Sequence, residues 1–142
     1  MINNNLFDNL ENKIQKFFES PAFGVVGASI DRNKYGNKVV RCYLQHNKIV
    51  YPINPHESTI EGLTCIKTLD TLPVTVKSIS IITNPSITEK VVEQAIMQGI
   101  KNIWMQPGSE NIKSVLICEN NAINVINGGP CILVTLGFKE EY

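Results

Sequence analysis

Arginine and histidine are rare in this chain of 142 residues, with two of each. Lysine and arginine together number 13, matched by 13 aspartates and glutamates, so the formal net charge is zero. A protein held on nucleic acid through the phosphate backbone usually carries a basic excess, and that excess is missing. No apolar run reaches the roughly 18 residues that a membrane-crossing helix requires. The opening MINNNLFDNLENKIQKFF is polar and broken by acids, which does not fit a secretory signal. The four cysteines, Cys42, Cys65, Cys118 and Cys131, form no C-x-x-C pair, and His46 and His56 lie far from any zinc-ligand spacing. No internal repeat, low-complexity tract or linker divides the chain. These absences lead us to expect a cytoplasmic protein with reduced thiols, using neither a membrane nor nucleic acid.

What is present is apolar sequence, at 43% of residues, enough for the core of one domain spanning residues 1–142. Leu6, Phe7, Leu10, Ile14, Phe17 and Phe18 recur at helical spacing and predict an amphipathic helix over about residues 5–18, ending before Ser20-Pro21. Five short, β-branched runs follow, at 22–26, 48–53, 78–83, 102–105 and 122–126. They are continuously apolar rather than alternating, as strands buried on both faces should be. Between them lie helical patterns. One spans about 37–46. A second opens with the capping-box form Ser86-Ile87-Thr88-Glu89 and stops at Gly99, and a third is capped by Ser109. Alternation of this kind predicts an α/β, Rossmann-like, doubly wound parallel sheet in three layers. With residues 64–66 as a short edge strand, the expected order is 3-2-1-4-5-6.

Ligands of such sheets sit beyond the carboxyl ends of the strands where the winding reverses. Here that point falls between the loops Gly27-Ala28-Ser29 and Thr83-Asn84-Pro85. Gly27 suits a tight turn, while Ala28 and Ser29 are small enough for phosphates to approach the backbone, near the positive end of the next helix. Segment 32–41 then brings Arg32, Lys34, Lys38 and Arg41, a local positive cluster suited to a polyanionic small ligand. Arg32 and Lys34 lie nearest the loop. For Lys38 and Arg41 a solvated helix face is an equal alternative. A nicotinamide or flavin site would show G-x-G-x-x-G and an acid ending the second strand. Counting from Gly27 gives Gly27, Ser29 and Arg32, and the second strand ends Tyr51-Pro52-Ile53-Asn54-Pro55, so both features are missing. A P-loop is absent as well.

Taken in order, Val25-Val26-Gly27-Ala28-Ser29, Lys34-Tyr35-Gly36-Asn37-Lys38-Val39 and Tyr51-Pro52-Ile53-Asn54-Pro55 resemble the small stand-alone CoA-binding domain proteins. Ile60-Glu61-Gly62, Ile103-Trp104-Met105-Gln106 with Gly108, and Cys131 add to the match, which covers about residues 6–135. The fold is similar to the N-terminal domain of the succinate–CoA ligase α subunit and of ADP-forming acyl-CoA synthetases. The resemblance implies coenzyme A or an acyl-CoA as ligand, with its pyrophosphate on Gly27-Ala28-Ser29. Asn54-Pro55 and Thr83-Asn84-Pro85 would line the nucleotide side, with Lys34 and Tyr35 near the phosphates. Two positions depart from the family pattern. Many members read Asp-Arg-Cys after the last strand, where this chain reads Asn127-Gly128-Gly129-Pro130-Cys131, and Thr83-Asn84 stands where arginine is frequent, leaving charge compensation to Arg32 and Lys34. If the pantetheine arm runs toward the loop after the last strand, Cys131 can form a mixed disulfide with the coenzyme thiol; a buried small residue is the plain alternative.

No Ser/His/Asp set, metal cluster or carboxylate pair accompanies the crevice, so catalysis by the chain alone is not expected. His46, ending a helix, complements its dipole, and His56 reads as a surface-loop residue. Trp104 reads as core or pocket wall, and Gly128-Gly129 as a strand exit. Three functions fit. The first is a non-catalytic CoA-binding module. The second is an accessory subunit of an acyl-CoA ligase that works with a separate chain. The third is an NAD-type dinucleotide-sensing domain, which the missing glycines, acid and DNA-binding helix pair count against. A homodimer and a ligase partner subunit both remain open as assemblies.

Overall fold

The computed structural model describes residues 9–140. Within it, α1 (Leu10–Phe18) leads into β1 (Ala22–Val26), α2 (Tyr35–Gln45) and β2 (Val50–Ile53). A small hairpin, β3 (Thr59–Ile60) and β4 (Leu63–Thr64), and a 3-10 turn at Leu69–Thr71 precede β5 (Val76–Ile81). The chain continues through α3 (Pro85–Met97), β6 (Asn102–Met105), α4 (Ile112–Asn120), β7 (Asn124–Ile126) and α5 (Ile132–Leu136). The expected start of the first helix at residue 5 lies outside the described residues.

Five strands form one parallel sheet in the order β2-β1-β5-β6-β7. The chain therefore winds outward from β1 to β2, returns across it, and winds the other way through β5, β6 and β7. This is the expected doubly wound arrangement, apart from its edge. Residues 64–66 do not form a strand beside β2. Thr64 pairs with Thr59 in the antiparallel hairpin, and only Ile66 bridges Ile53 in parallel. The cause lies in β2 itself. Ile66 donates to the Pro52 carbonyl at 2.8 Å and accepts from the Asn54 amide at 3.0 Å. The next rung would need an N–H on Pro52, which proline lacks, so the ladder stops after one bridge.

Period-two alternation divides the core between the two faces. Phe23 and Val25 of β1 face α1, α2 and α5, in a cluster with Phe17, Val39, Tyr43, Trp104 and Ile126. Ile79 and Ile81 of β5, with Ile103 and Met105 of β6, pack instead with Val91, Val92 and Ala95 of α3 and Cys118 of α4. Two serines lie on the first face of β5, and both are satisfied. Ser78 Oγ donates to the Phe17 carbonyl at 2.6 Å, and Ser80 Oγ lies 2.6 Å from the Tyr43 hydroxyl. The Ser78 bond fixes the end of α1 to the sheet.

Helix boundaries differ from expectation at two caps. Asn84, not Ser86, is the N-cap of α3: its side chain accepts from the Ile87 amide, and Pro85 takes the first helical position. Likewise Asn111, not Ser109, caps α4, accepting from the Ser114 amide at 2.8 Å. Helix α5 follows Pro130 without an apolar period long enough to announce it.

Candidate functional site

The site grows from the place where β1 and β5 part. The Ile82 amide donates to the Val26 carbonyl at 2.8 Å, the last bond between the two strands. At Gly27 the chain turns away with φ of +89°, a conformation that L side chains rarely adopt. A β-carbon there would also stand 2.3 Å from the Ile82 carbonyl oxygen. Beyond the turn, the amides of Ala28, Ser29 and Ile30 donate to no other group among the described residues. The Ser29 hydroxyl accepts from the Asp31 amide at 3.1 Å, which leaves its own proton available as a donor.

Helix α2 begins directly beside this loop, and Gly36 permits the approach. A β-carbon on Gly36 would lie 2.0 Å from the Gly27 carbonyl oxygen and 3.3 Å from the Ser29 nitrogen. The close helix-to-strand contact that a dinucleotide fingerprint assigns to its third glycine is thus made here by Gly36, outside the spacing counted from Gly27. Gly36 and Asn37 are the structural residues that counting missed. Their signal was the Lys34-Tyr35-Gly36-Asn37 segment.

Asn37 is fully buried and braces the loop, its Nδ2 donating to the Ser29 carbonyl at 2.9 Å. Asn54, at the end of β2, braces it from the other side through Nδ2 to the Ala28 carbonyl at 2.9 Å. Its Oδ1 accepts from the amides of His56 and Glu57, closing the turn that carries Pro55. Across the crevice, Thr83 Oγ1 lies 2.8 Å from Thr88 Oγ1, and Asn84 and Pro85 start α3. The three expected loops are therefore neighbours, with Asn54 linking two of them directly.

The basic cluster divides in two. Arg41 is buried and turned inward. It donates to Asn37 Oδ1 at 2.7 Å, the Arg32 carbonyl at 2.8 Å and Glu140 at 3.0 Å. Lys38 joins Glu140 at 3.6 Å. The Arg41 hydrogen bond, with the positive charges of Arg41 and Lys38, holds the Glu140 carboxyl below its ordinary value. Arg32 and Lys34 remain exposed at the loop, and Tyr35 beside them is exposed as well. The Arg32 Nε lies 3.5 Å from Glu61 of the β3–β4 hairpin.

His46 Nδ1 lies 2.8 Å from the Cys42 carbonyl at the end of α2, and His56 is exposed. Burial pushes the thiols of Cys42 and Cys118 up to about 11 and about 12, and Cys65 is raised by burial too. Cys131 is half-buried, with Gln106 Nε2 donating to its sulfur at 3.3 Å. Trp104 is core: its ring is fully buried, and Nε1 donates to the Pro130 carbonyl at 3.0 Å. Among the described residues no helix is long and apolar enough to cross a membrane.

Residues 22–137 match the protein family described as CoA binding domain. The chain belongs to that family. Solved structures agree with the assignment. A conserved hypothetical protein from Pyrococcus furiosus is 32% identical, with a TM-score of 0.77, covering 80% of this chain and 97% of that one. A hypothetical protein from Pyrococcus horikoshii is 24% identical, with a TM-score of 0.81 and 87% of each chain covered; at that identity it supports the fold alone. The dinucleotide forming acetyl-coenzyme A synthetase 1 of Ca. Korarchaeum cryptofilum is 25% identical, with a TM-score of 0.71. The match takes in 80% of this chain but 27% of the synthetase. This CoA-binding domain thus corresponds to about a quarter of that enzyme's length.

Proposed function

We propose that the protein binds coenzyme A or an acyl-CoA without transforming it, with the ligand's pyrophosphate over Gly27-Ala28-Ser29. The observation that carries this reading is the row of unengaged amides at Ala28, Ser29 and Ile30, set beside the start of α2 at the switch point of the sheet. Arg32 and Lys34 supply the cations and the Ser29 hydroxyl a further donor. Asn54 and Asn37 hold the loop in shape, and Thr83, Asn84 and Pro85 wall the far side. Coenzyme A brings a thiol that carries acyl groups, and the residues near the loop offer it binding rather than a base or nucleophile. Unpaired cysteines on the described residues suit a cytoplasmic setting.

A second reading has its own support in the synthetase match. There a domain of this fold is part of a longer enzyme, so this chain could serve a ligase formed with a separate subunit. Co-purification of a nucleotide-binding partner would favour it.

The test is isothermal titration of the reduced protein with CoA, using NAD and ATP as controls, at two salt concentrations. Micromolar CoA binding that weakens with salt, and with Arg32→Ala plus Lys34→Ala, is expected. Binding of NAD without CoA would assign the loop to a different dinucleotide.

A further inference from the structure

Glu61 stands in an unusual place for its residue type. With Gly62 it forms the two-residue turn between β3 and β4, at φ of +49° and +77°. Such turns favour Asn-Gly or Asp-Gly, because both positions need a positive φ. Among the described residues two other non-glycine residues share a positive φ, Asn47 and Ala122, and each directly follows the C-cap of a helix. Glu61 has no helix end to account for its strain. What it has is reach. Its Oε2 accepts from Asn37 Nδ2 at 3.1 Å and lies 3.5 Å from Arg32 Nε. Asn37 Nδ2 is the same group that donates to the Ser29 carbonyl, so the carboxylate rests against the brace of the loop. A half-exposed ion pair of this kind adds little to stability. A longer side chain at a strained turn, committed to a weak ion pair beside unengaged amides, points to a role in the site.

We propose that Glu61 is an internal stand-in for the ligand's anionic oxygen. Without ligand it holds Arg32; when a phosphate group binds, Arg32 exchanges the carboxylate for phosphate. Of the two arginines, Arg41 is committed inside the protein, so Arg32 is the guanidinium that Glu61 can withhold. The exchange sets a threshold that a polyanion meets more readily than a single phosphate, and it makes Glu61 a determinant of affinity and selectivity. The inference rests on the loop being a phosphate site, and it names how that site is controlled.

Titrations of wild type, Glu61→Gln, Glu61→Asn, Arg32→Ala and the Glu61→Gln/Arg32→Ala double variant, with CoA and with inorganic pyrophosphate, decide it. In Glu61→Gln the side-chain carbonyl can still accept from Asn37, and in Glu61→Asn the turn is relieved, so neither variant threatens the fold. Both are expected to bind each probe about fivefold tighter than wild type at low salt. In the Arg32→Ala background the gain is expected to shrink below about twofold. Unchanged or weaker binding by both Glu61 variants would overturn the proposal, as would a gain that persists in full without Arg32. Pyrophosphate binding with the expected gain, but no CoA binding, would retain the proposal and refute the coenzyme reading. Neither probe binding to any of the proteins would refute both.

Discussion

A β-carbon at Gly36 would stand 2.0 Å from the carbonyl oxygen of Gly27. That separation is far inside van der Waals contact, and both partners are backbone, so neither can turn aside. The first turn of α2 and the loop after β1 are therefore held together by the absence of a side chain.

Gly36→Ala is expected to lower stability by about 3 kcal/mol, as overpacking against a rigid neighbour does, and to abolish ligand binding by displacing Gly27-Ala28-Ser29. Gly99→Ala is the comparison. Gly99 has a φ of +75° but nothing within 4 Å of an added β-carbon, so only backbone strain remains, about 1 kcal/mol. Urea denaturation of the two variants measures the difference. Equal midpoints would show that the helix can withdraw from the loop freely.

Glu140 gives a pH dependence with a definite sign. Its carboxyl is held below the ordinary value of 4.5 chiefly by the Arg41 hydrogen bond. A carboxylate with a depressed folded-state value contributes stability above its unfolded value and loses it as pH falls through the folded one. The melting temperature of wild type should therefore exceed that of Glu140→Gln near neutral pH. The two curves should converge as pH drops through the acid range below 4.5. A constant gap down to about pH 2 would mean that Glu140 acts without its charge.

Burial explains both what was legible in the sequence and what was not. Ala22–Val26 and Asn102–Met105 coincide with their apolar runs, because every residue in each is buried between two helix layers. The switch point, and with it the neighbouring loops of the candidate site, followed from that alternation alone. Hidden features depended on partners distant in the chain. For Arg41 and Lys38 a bound anion and a solvated helix face are equal readings from sequence, and neither shows that Glu140, 99 residues from Arg41, takes them both. Asn84-Pro85 reads as part of the loop lining the crevice, and it is also the cap and first residue of α3. Pro52 ends the outer ladder by a missing hydrogen that no apolar pattern records. Gly36 lies outside the G-x-G-x-x-G spacing from Gly27, since the chain makes a longer excursion before entering α2.

Asn54 ties β2 to the loop, and its two kinds of bond can be separated. Asn54→Ala removes the donor to the Ala28 carbonyl and the acceptor for the His56 and Glu57 amides. Asn54→Asp keeps the acceptor and loses the donor. If the brace on Ala28 shapes the site, both variants should weaken CoA binding about tenfold, while Asp costs less stability than Ala, about 1 kcal/mol against about 2. Full affinity in Asn54→Asp would show that the loop keeps its shape without the Ala28 bond.

Cys131 differs from the other three cysteines in exposure, so thiol chemistry should single it out. Cys42, Cys65 and Cys118 are buried, and burial raises all three, to about 11 for Cys42 and about 12 for Cys118. Near neutral pH their thiolate fractions are negligible, and the thiolate is the species that attacks a disulfide. Incubating the native protein with CoA disulfide should therefore load one CoA. The Cys131 thiolate forms the new S–S bond, and the second CoA departs as its thiolate. Mass spectrometry without reductant reads the adduct, which Cys131→Ser should abolish and dithiothreitol reverse. Excess 3′-phospho-ADP, the nucleotide half of the coenzyme without its thiol, should slow the loading if CoA disulfide docks its pyrophosphate at Gly27-Ala28-Ser29 before exchanging with Cys131, and leave it unchanged if the cysteine reacts from solution. An adduct on Cys42 or Cys118 instead would mean that the α2 or α4 packing opens far more readily than its burial implies.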